Sequence, residues 1–200
     1  MGNLSKQQKI VDFWFGELFA DGLAEKKISK RWYKNDPNFD KLMRENFEND
    51  IEMAKKGKYG KWKETTLGSL TLILLCDQFT RNIYRDTEKM FSCDEIARVV
   101  AQEAIEKGFD RELPMAQRQF IYMPFMHAES NELQEKSVEL FKRLRVEVVE
   151  HVKEYVPVKY AKAHQEIIRK FGRFPQRNKI LGRTSTSDEI EFLKGPNSNF

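Results

Sequence analysis

The stretch TTLGSLTLILLCDQFTRN, residues 65–82, decides the fold. Leu67, Leu70, Leu72, Ile73, Leu74, Leu75, Cys76 and Phe79 fall on all sides of a helix. A helix that is apolar all round has to be covered on every side, so this segment predicts the centre of a helical core. Thr65 and Thr66 open it, and it runs out at Arg81-Asn82. Its apolar run, Leu70–Cys76, falls well short of the roughly 18 residues needed to span a bilayer.

Outward from this segment the chain reads as helix after helix. Upstream, Gln7–Phe19 carries Ile10, Val11, Trp14, Phe15 and Leu18 at helical spacing. A short turn with Trp32 and Tyr33 follows. Asp36-Pro37 then starts a helix, with a capping side chain before a proline at the first helical position. Lys55-Lys56-Gly57 closes it as a C-terminal cap. Downstream, Ser92-Cys93-Asp94-Glu95 has the form of a capping box, and that helix stops at Gly108. Pro114–Phe125 is expected to be kinked or interrupted at Pro124. Asn131 starts a long helix that carries Val152 and ends at Pro157. Val158–Phe171 is closed by Gly172, and Thr186 with Glu189 makes a second capping box before a helix over Ser187–Lys194. No period-two alternation and no Asn-Gly or Asp-Gly turn argues for a strand. The expected fold is all-α: stacked antiparallel helical hairpins in a right-handed, tetratricopeptide-repeat-like superhelix, without a clean 34-residue repeat. Residues 1–195 are expected to form a single helical domain and 196–200 a short frayed tail.

Composition bounds the functional classes. The chain has 200 residues, of which 40% are hydrophobic and 33% charged, enough for a core that needs no staples. A net charge of +4 is far from the concentrated basic stripe of a nucleic-acid binder, so no nucleic-acid partner is expected. Cys76 and Cys93 have no CxxC spacing, which predicts a reducing compartment and no disulfide framework. The polar N-terminus has no secretory pattern. Lys6 stands where the acylation pattern wants Ser or Thr, which argues against lipidation of Gly2. A soluble cytoplasmic protein with no transmembrane segment is the expectation.

Four segments could carry chemistry. In Asp77-Gln78-Phe79-Thr80-Arg81-Asn82, Asp77 and Arg81 are four apart and share a helix face. They either form a structural ion pair or floor a polar pocket. In Tyr122–Glu129 an aromatic run ends in His127-x-Glu129, and His127 serves either a helix end or proton transfer. His164 lies on or beside an apolar face formed by Ala161, Ile167, Ile168 and Phe171, as a core histidine or a functional one. Finally, Arg169–Asn178 and Gly182-Arg183 interleave arginines with Phe, Pro and Gly in a compact loop. Its guanidinium forks suit carboxylate or phosphate, or they stitch the loop down. A zinc site would need His127, His164 and a carboxylate such as Asp77 or Glu129, without HExxH spacing, so no metal and no cofactor is expected. Neither cysteine sits in a loop beside a histidine, so a catalytic thiol has no support. No phosphate loop, dinucleotide fingerprint or nucleophile elbow is present.

Asp12-Phe-Trp-Phe-Gly16, Leu74–Asn82, Tyr122–Glu129, Arg169–Asn178 and Leu181–Thr186 together resemble the family catalogued as domain of unknown function 924. The resemblance runs from about Ile10 to Leu193. It implies a helical fold similar to tetratricopeptide-like stacks and no assigned activity. Thr80 stands where the family's motif has proline, and Gln176 where it tends to have histidine. The latter departure bears on any acid–base chemistry.

The functional expectation is one polar pocket that binds, and could process, a small anionic ligand. The candidate catalytic residues are His127 and His164 for proton transfer and Asp77 to orient an arginine. The candidate ligand-binding residues are Arg81, Arg173 and Arg177 for the anion, Asn82 and Asn178 for positioning, and Glu129. The alternative is a non-catalytic scaffold that binds a peptide or protein partner on a concave helical face.

Overall fold

The computed structural model describes residues 4–196, so the Gly2 lipidation reading and the tail beyond Pro196 lie outside the described residues. Among those residues the chain is all-helical, with no strand and a single isolated bridge between Leu18 and Ala24. No helix among them is long and apolar enough to cross a membrane.

The helices are α1 (Lys6–Phe15), α2 (Lys26–Arg31), α3 (Pro37–Lys55), α4 (Thr66–Ile73), α5 (Thr80–Ile83), α6 (Asp94–Glu106), α7 (Met115–Met126), α8 (Asn131–Glu147), α9 (Val158–Phe171) and α10 (Ser187–Leu193). A π-helical turn, Leu74–Phe79, joins α4 to α5, so residues 66–83 form one rod with a widened middle. Residues 68–80 are all buried, as expected of a helix apolar all round. The rod touches α1, α3, α6 and α7, while α6, α7, α8 and α9 pack in chain order. An aromatic cluster holds the near end: Trp14 meets Trp32, Phe39, Phe79 and Phe120, with ring centroids 5.4–6.4 Å apart. Such pairs add about 0.5–1.5 kcal/mol each beyond area burial.

Local signals account for most helix ends. Asp36 caps α3 by accepting from the Asn38 and Phe39 amides. Thr186 and Glu189 form the expected capping box. Gly172, at φ +71°, closes α9 by donating to the Ile168 carbonyl.

Other ends differ from expectation. The first helix stops at Phe15, because Gly16 takes φ +61° and donates back to Asp12. The Ser92 capping box does not form. Ser92 instead closes a 3-10 turn over Glu88–Phe91, Cys93 occupies the N-cap of α6, and Glu95 turns to Arg98. Helix α7 continues through Pro124 to Met126. Helix α8 ends at Glu147, where Val148 turns extended, and Val152 lies in a separate 3-10 segment, Glu150–Tyr155.

One close approach requires glycine. At Gly68 a Cβ would collide with the Trp62 carbonyl, whose carbon would lie 2.7 Å away. Backbone on both sides cannot yield as a flexible side chain can. Gly68→Ala therefore pushes the 3-10 turn Gly60–Glu64 off α4, at a cost of about 1–3 kcal/mol in urea melts, despite alanine's better helix propensity. A stabilised variant would contradict this packing.

Candidate functional site

Asp77 sits in the π-helical turn and is 1% exposed. Such turns insert one extra residue into a helix and re-aim the side chains around them. A carboxylate this deep has to be paired. Arg81 Nη1 lies 3.1 Å from its Oδ1, His127 Nδ1 lies 2.7 Å from the same oxygen, and Gln78 Nε2 donates to Oδ2. Burial alone would raise the Asp77 pKa, but Arg81 and His127 outweigh it and hold the carboxyl well below the usual range. Arg81 also donates to Asp94 through both forks, at 2.9 and 3.0 Å, and to the Asp77 carbonyl. The π-turn and the start of α6 are thereby bolted together.

His127 ends α7. Burial lowers its pKa, and the Arg81 and Arg177 cations add to that against the pull of Asp77. The ring is therefore neutral near pH 7. With Asp77 ionised, Nδ1 is the donor and Nε2 carries the lone pair. Nε2 makes no hydrogen bond among the described residues.

His164, on α9, lies with its ring centroid 6.2 Å from that of His127. Its Nδ1 meets the Tyr160 carbonyl at 2.9 Å, and its pKa is pushed down to about 3 by burial first, then by His127, Arg177 and Arg81.

Arg177 completes the cluster from the C-terminal loop. Its guanidinium lies over Phe91 and Phe174, 4.7 and 4.4 Å from the ring centroids. Nη2 donates to the His127 carbonyl at 2.9 Å, and Nη1 is 4.0 Å from Asp94, beyond hydrogen-bond reach. Burial and the like charge of Arg81 lower its pKa to about 10, so it is charged at neutral pH but poorly compensated. A cleft of about 340 Å³ opens here, walled by Phe91, Asp94, Arg98, His127, Ser130 and Arg177 among others. Helix α8 starts from Ser130 in that wall, which places its positive dipole end at the cleft.

The structure thus brings Asp77, Arg81, His127, His164 and Arg177 together. Glu129 lies at the rim with both oxygens engaged: Arg183 donates to them at 2.7 and 3.0 Å, and the Phe174 amide donates at 2.8 Å. Three other residues named from the sequence do not join them. Asn82 donates to Asp40. Arg173 grips Glu189 with two bonds, and Asn178 donates to Ser185 and Glu189, which stitches the loop to α10. Sequence reasoning missed Asp94, which it read only as part of a capping box, and also Phe91, Arg98 and Ser130. Acidic placement in the first turn of α6 was the one available signal for Asp94.

A family described as "Bacterial protein of unknown function (DUF924)" matches residues 10–197 of the chain. The solved structure of the protein of unknown function ATU0120 from Agrobacterium tumefaciens is similar over 94% of this chain and 97% of that one. The two share 34% identity at a TM-score of 0.79. No curated protein matches the chain.

Proposed function

We propose, for a chain that belongs to the DUF924 family and takes no activity from that membership, that the cleft beside Arg177 binds a small anion. The single observation that carries this reading is Arg177 itself. A charged guanidinium is held between two rings, desolvated, with one carbonyl as its hydrogen-bond acceptor and its nearest carboxylate 4.0 Å away. Burying an under-compensated cation is costly, and an anion in the cleft relieves that cost. Arg98 and the dipole of α8 favour the same sign of ligand.

The Asp77–His127 pair gives the cleft a base. Asp77 orients the neutral imidazole by holding Nδ1–H, which leaves Nε2 able to accept a proton from a bound ligand. His164 stands behind it as the second histidine. Residues 1–195 act as one domain of tetratricopeptide-like helical hairpins working in the cytoplasm, with the cleft at the junction of α6, α7, α8 and the C-terminal loop.

A thermal-shift series with inorganic phosphate, phosphorylated metabolites and di- and tricarboxylates tests this reading. Wild type is expected to gain about 2.7 kcal/mol at a hundredfold excess of a true ligand over its Kd. Arg177→Met, which keeps the packing between Phe91 and Phe174, should stay folded and lose that gain. A gain that survives in Arg177→Met overturns the assignment. No gain with any anion turns attention to a peptide or protein partner.

A further inference from the structure

The charges around the cleft answer one another in pairs except at one residue. Two arginines line it, Arg98 and Arg177. Arg98 turns to Glu95 on its own helix. Arg177 has the His127 carbonyl and no carboxylate within hydrogen-bond reach, Asp94 being 4.0 Å away. The two acidic residues of the wall are already engaged. Arg81 holds Asp94 through both forks, and Arg183 holds Glu129 at 2.7 and 3.0 Å. Among the described residues, the wall is therefore left with one cation short of a counter-charge.

Much of the remaining wall is apolar. Phe91 ends the 3-10 turn before α6, Leu133 lies in the first turn of α8, and Leu181 sits in the C-terminal loop. All three are half-buried, and the buried Ala128 joins them. Single apolar side chains scattered over a surface need no explanation. Here separate segments of the chain bring them to one cleft of about 340 Å³, at the small end of ligand-binding pockets.

On the footing of the anion reading above, we infer that the cleft takes a small monocarboxylate with an apolar body. Its carboxylate sits on Arg177, and its carbon chain or ring lies against Phe91, Leu133 and Leu181. One negative charge answers the one open cation. A phosphate dianion or a polycarboxylate brings further charge that has to face Asp94 and Glu129, and like charges repel strongly where water is excluded. A planar carboxylate also matches the guanidinium fork. Only Nη2 of Arg177 is engaged, on the His127 carbonyl, so the fork keeps N–H groups for a ligand. The apolar body adds affinity in proportion to the carbon surface it covers. Arg177 thus sets the charge of the ligand, and Leu133 and Leu181 set its apolarity.

Calorimetric titration of the whole chain tests this with hexanoate, 4-methylpentanoate and phenylacetate beside acetate, inorganic phosphate and citrate. The best of the first three should bind about tenfold or more tighter than acetate, and tighter than phosphate or citrate. Its primary amide, with the same shape and no charge, should lose about tenfold or more. Arg177→Met should lose the acid altogether. Leu133→Ser, and Leu181→Ser should the first not fold, should bring the acid down toward acetate. Phosphate or citrate as the tighter ligand, lost in Arg177→Met, would overturn the monocarboxylate assignment and leave the anion reading standing. So would an advantage over acetate that survives both leucine variants. Silence from all six anions, or an acid that still binds Arg177→Met, would end both readings.

Discussion

Lowering the pH from 7 to 3 should cost this protein about 4 kcal/mol through His164 alone. In the folded chain the His164 pKa is pushed down to about 3, against an ordinary value of 6.5. Below pH 6.5 the unfolded state takes up a proton that the native state refuses until about pH 3. The stabilisation is therefore fully present above the unfolded value and is lost as the pH falls toward the folded one. The cause is geometric. His164 is 7% exposed, wedged between His127 and Phe174, and near the Arg177 and Arg81 cations.

Urea midpoints for wild type and His164→Gln, measured from pH 7 to pH 3, test this. Glutamine retains a donor for the Tyr160 carbonyl and removes the titration. The wild-type loss should reach about 2 kcal/mol by pH 5 and exceed that of the variant throughout. Depressed carboxylates also titrate at the acid end of this window, but they do so in both proteins, so the difference between the two curves reports His164. Glu189, lowered to about 2 chiefly by Arg173, and Asp77, lowered by Arg81 and His127, begin to lose their contributions as the pH falls through the ordinary carboxylate range. His127 shifts in the same direction and stays in both proteins. Parallel stability curves would sink the prediction.

The second large effect concerns Asp77. Asp77→Ala should destabilise the chain by about 3–5 kcal/mol, the range for removing one partner from a buried ionic cluster. Arg81 keeps its fork on Asp94, but its charge is then half compensated. The Nδ1–H of His127 loses its acceptor, and so does the Gln78 amide. Asp77→Asn preserves shape and can still accept a hydrogen bond, so its loss should be smaller than that of alanine. Denaturant melts of both variants give the two losses. The nitrogen NMR shifts of His127 then report whether its tautomer becomes mixed once the carboxylate is gone. A loss under about 1 kcal/mol for Asp77→Ala would mean that the cluster does not bear on folding.

The helical class was legible because burial on every side leaves a mark in residue identity. The stretch 65–82 could only be a covered helix, and Asp36-Pro37, Gly172 and the Thr186–Glu189 pair announce helix ends through bonds that span a few residues. The ends that escaped sequence reading depend on longer reach. Nothing near Ser92 says that it will close a 3-10 turn and leave Cys93 as the cap. The π-turn was equally invisible, since its register differs from an α-helix by one residue and the side-chain pattern tolerates both.

The site divides along the same line. Asp77 and Arg81 are four apart on one helix, so their pairing follows from local geometry. The contact of Asp77 with His127 spans 50 residues, and that of Arg177 with the His127 carbonyl also spans 50. Asn82 stands beside Arg81 in sequence yet turns to Asp40 on α3, and Arg173 and Asn178 turn to Glu189. Adjacent polar residues on a helix or loop point in different directions, and their partners are whatever the packing brings near. By itself the sequence determined an all-helical chain and a short roster of polar residues that had to be paired, because periodicity, caps and desolvation act locally. Only the tertiary structure decided which of them meet in one cleft, because a charge on a packed helix is answered by neighbours distant in the chain.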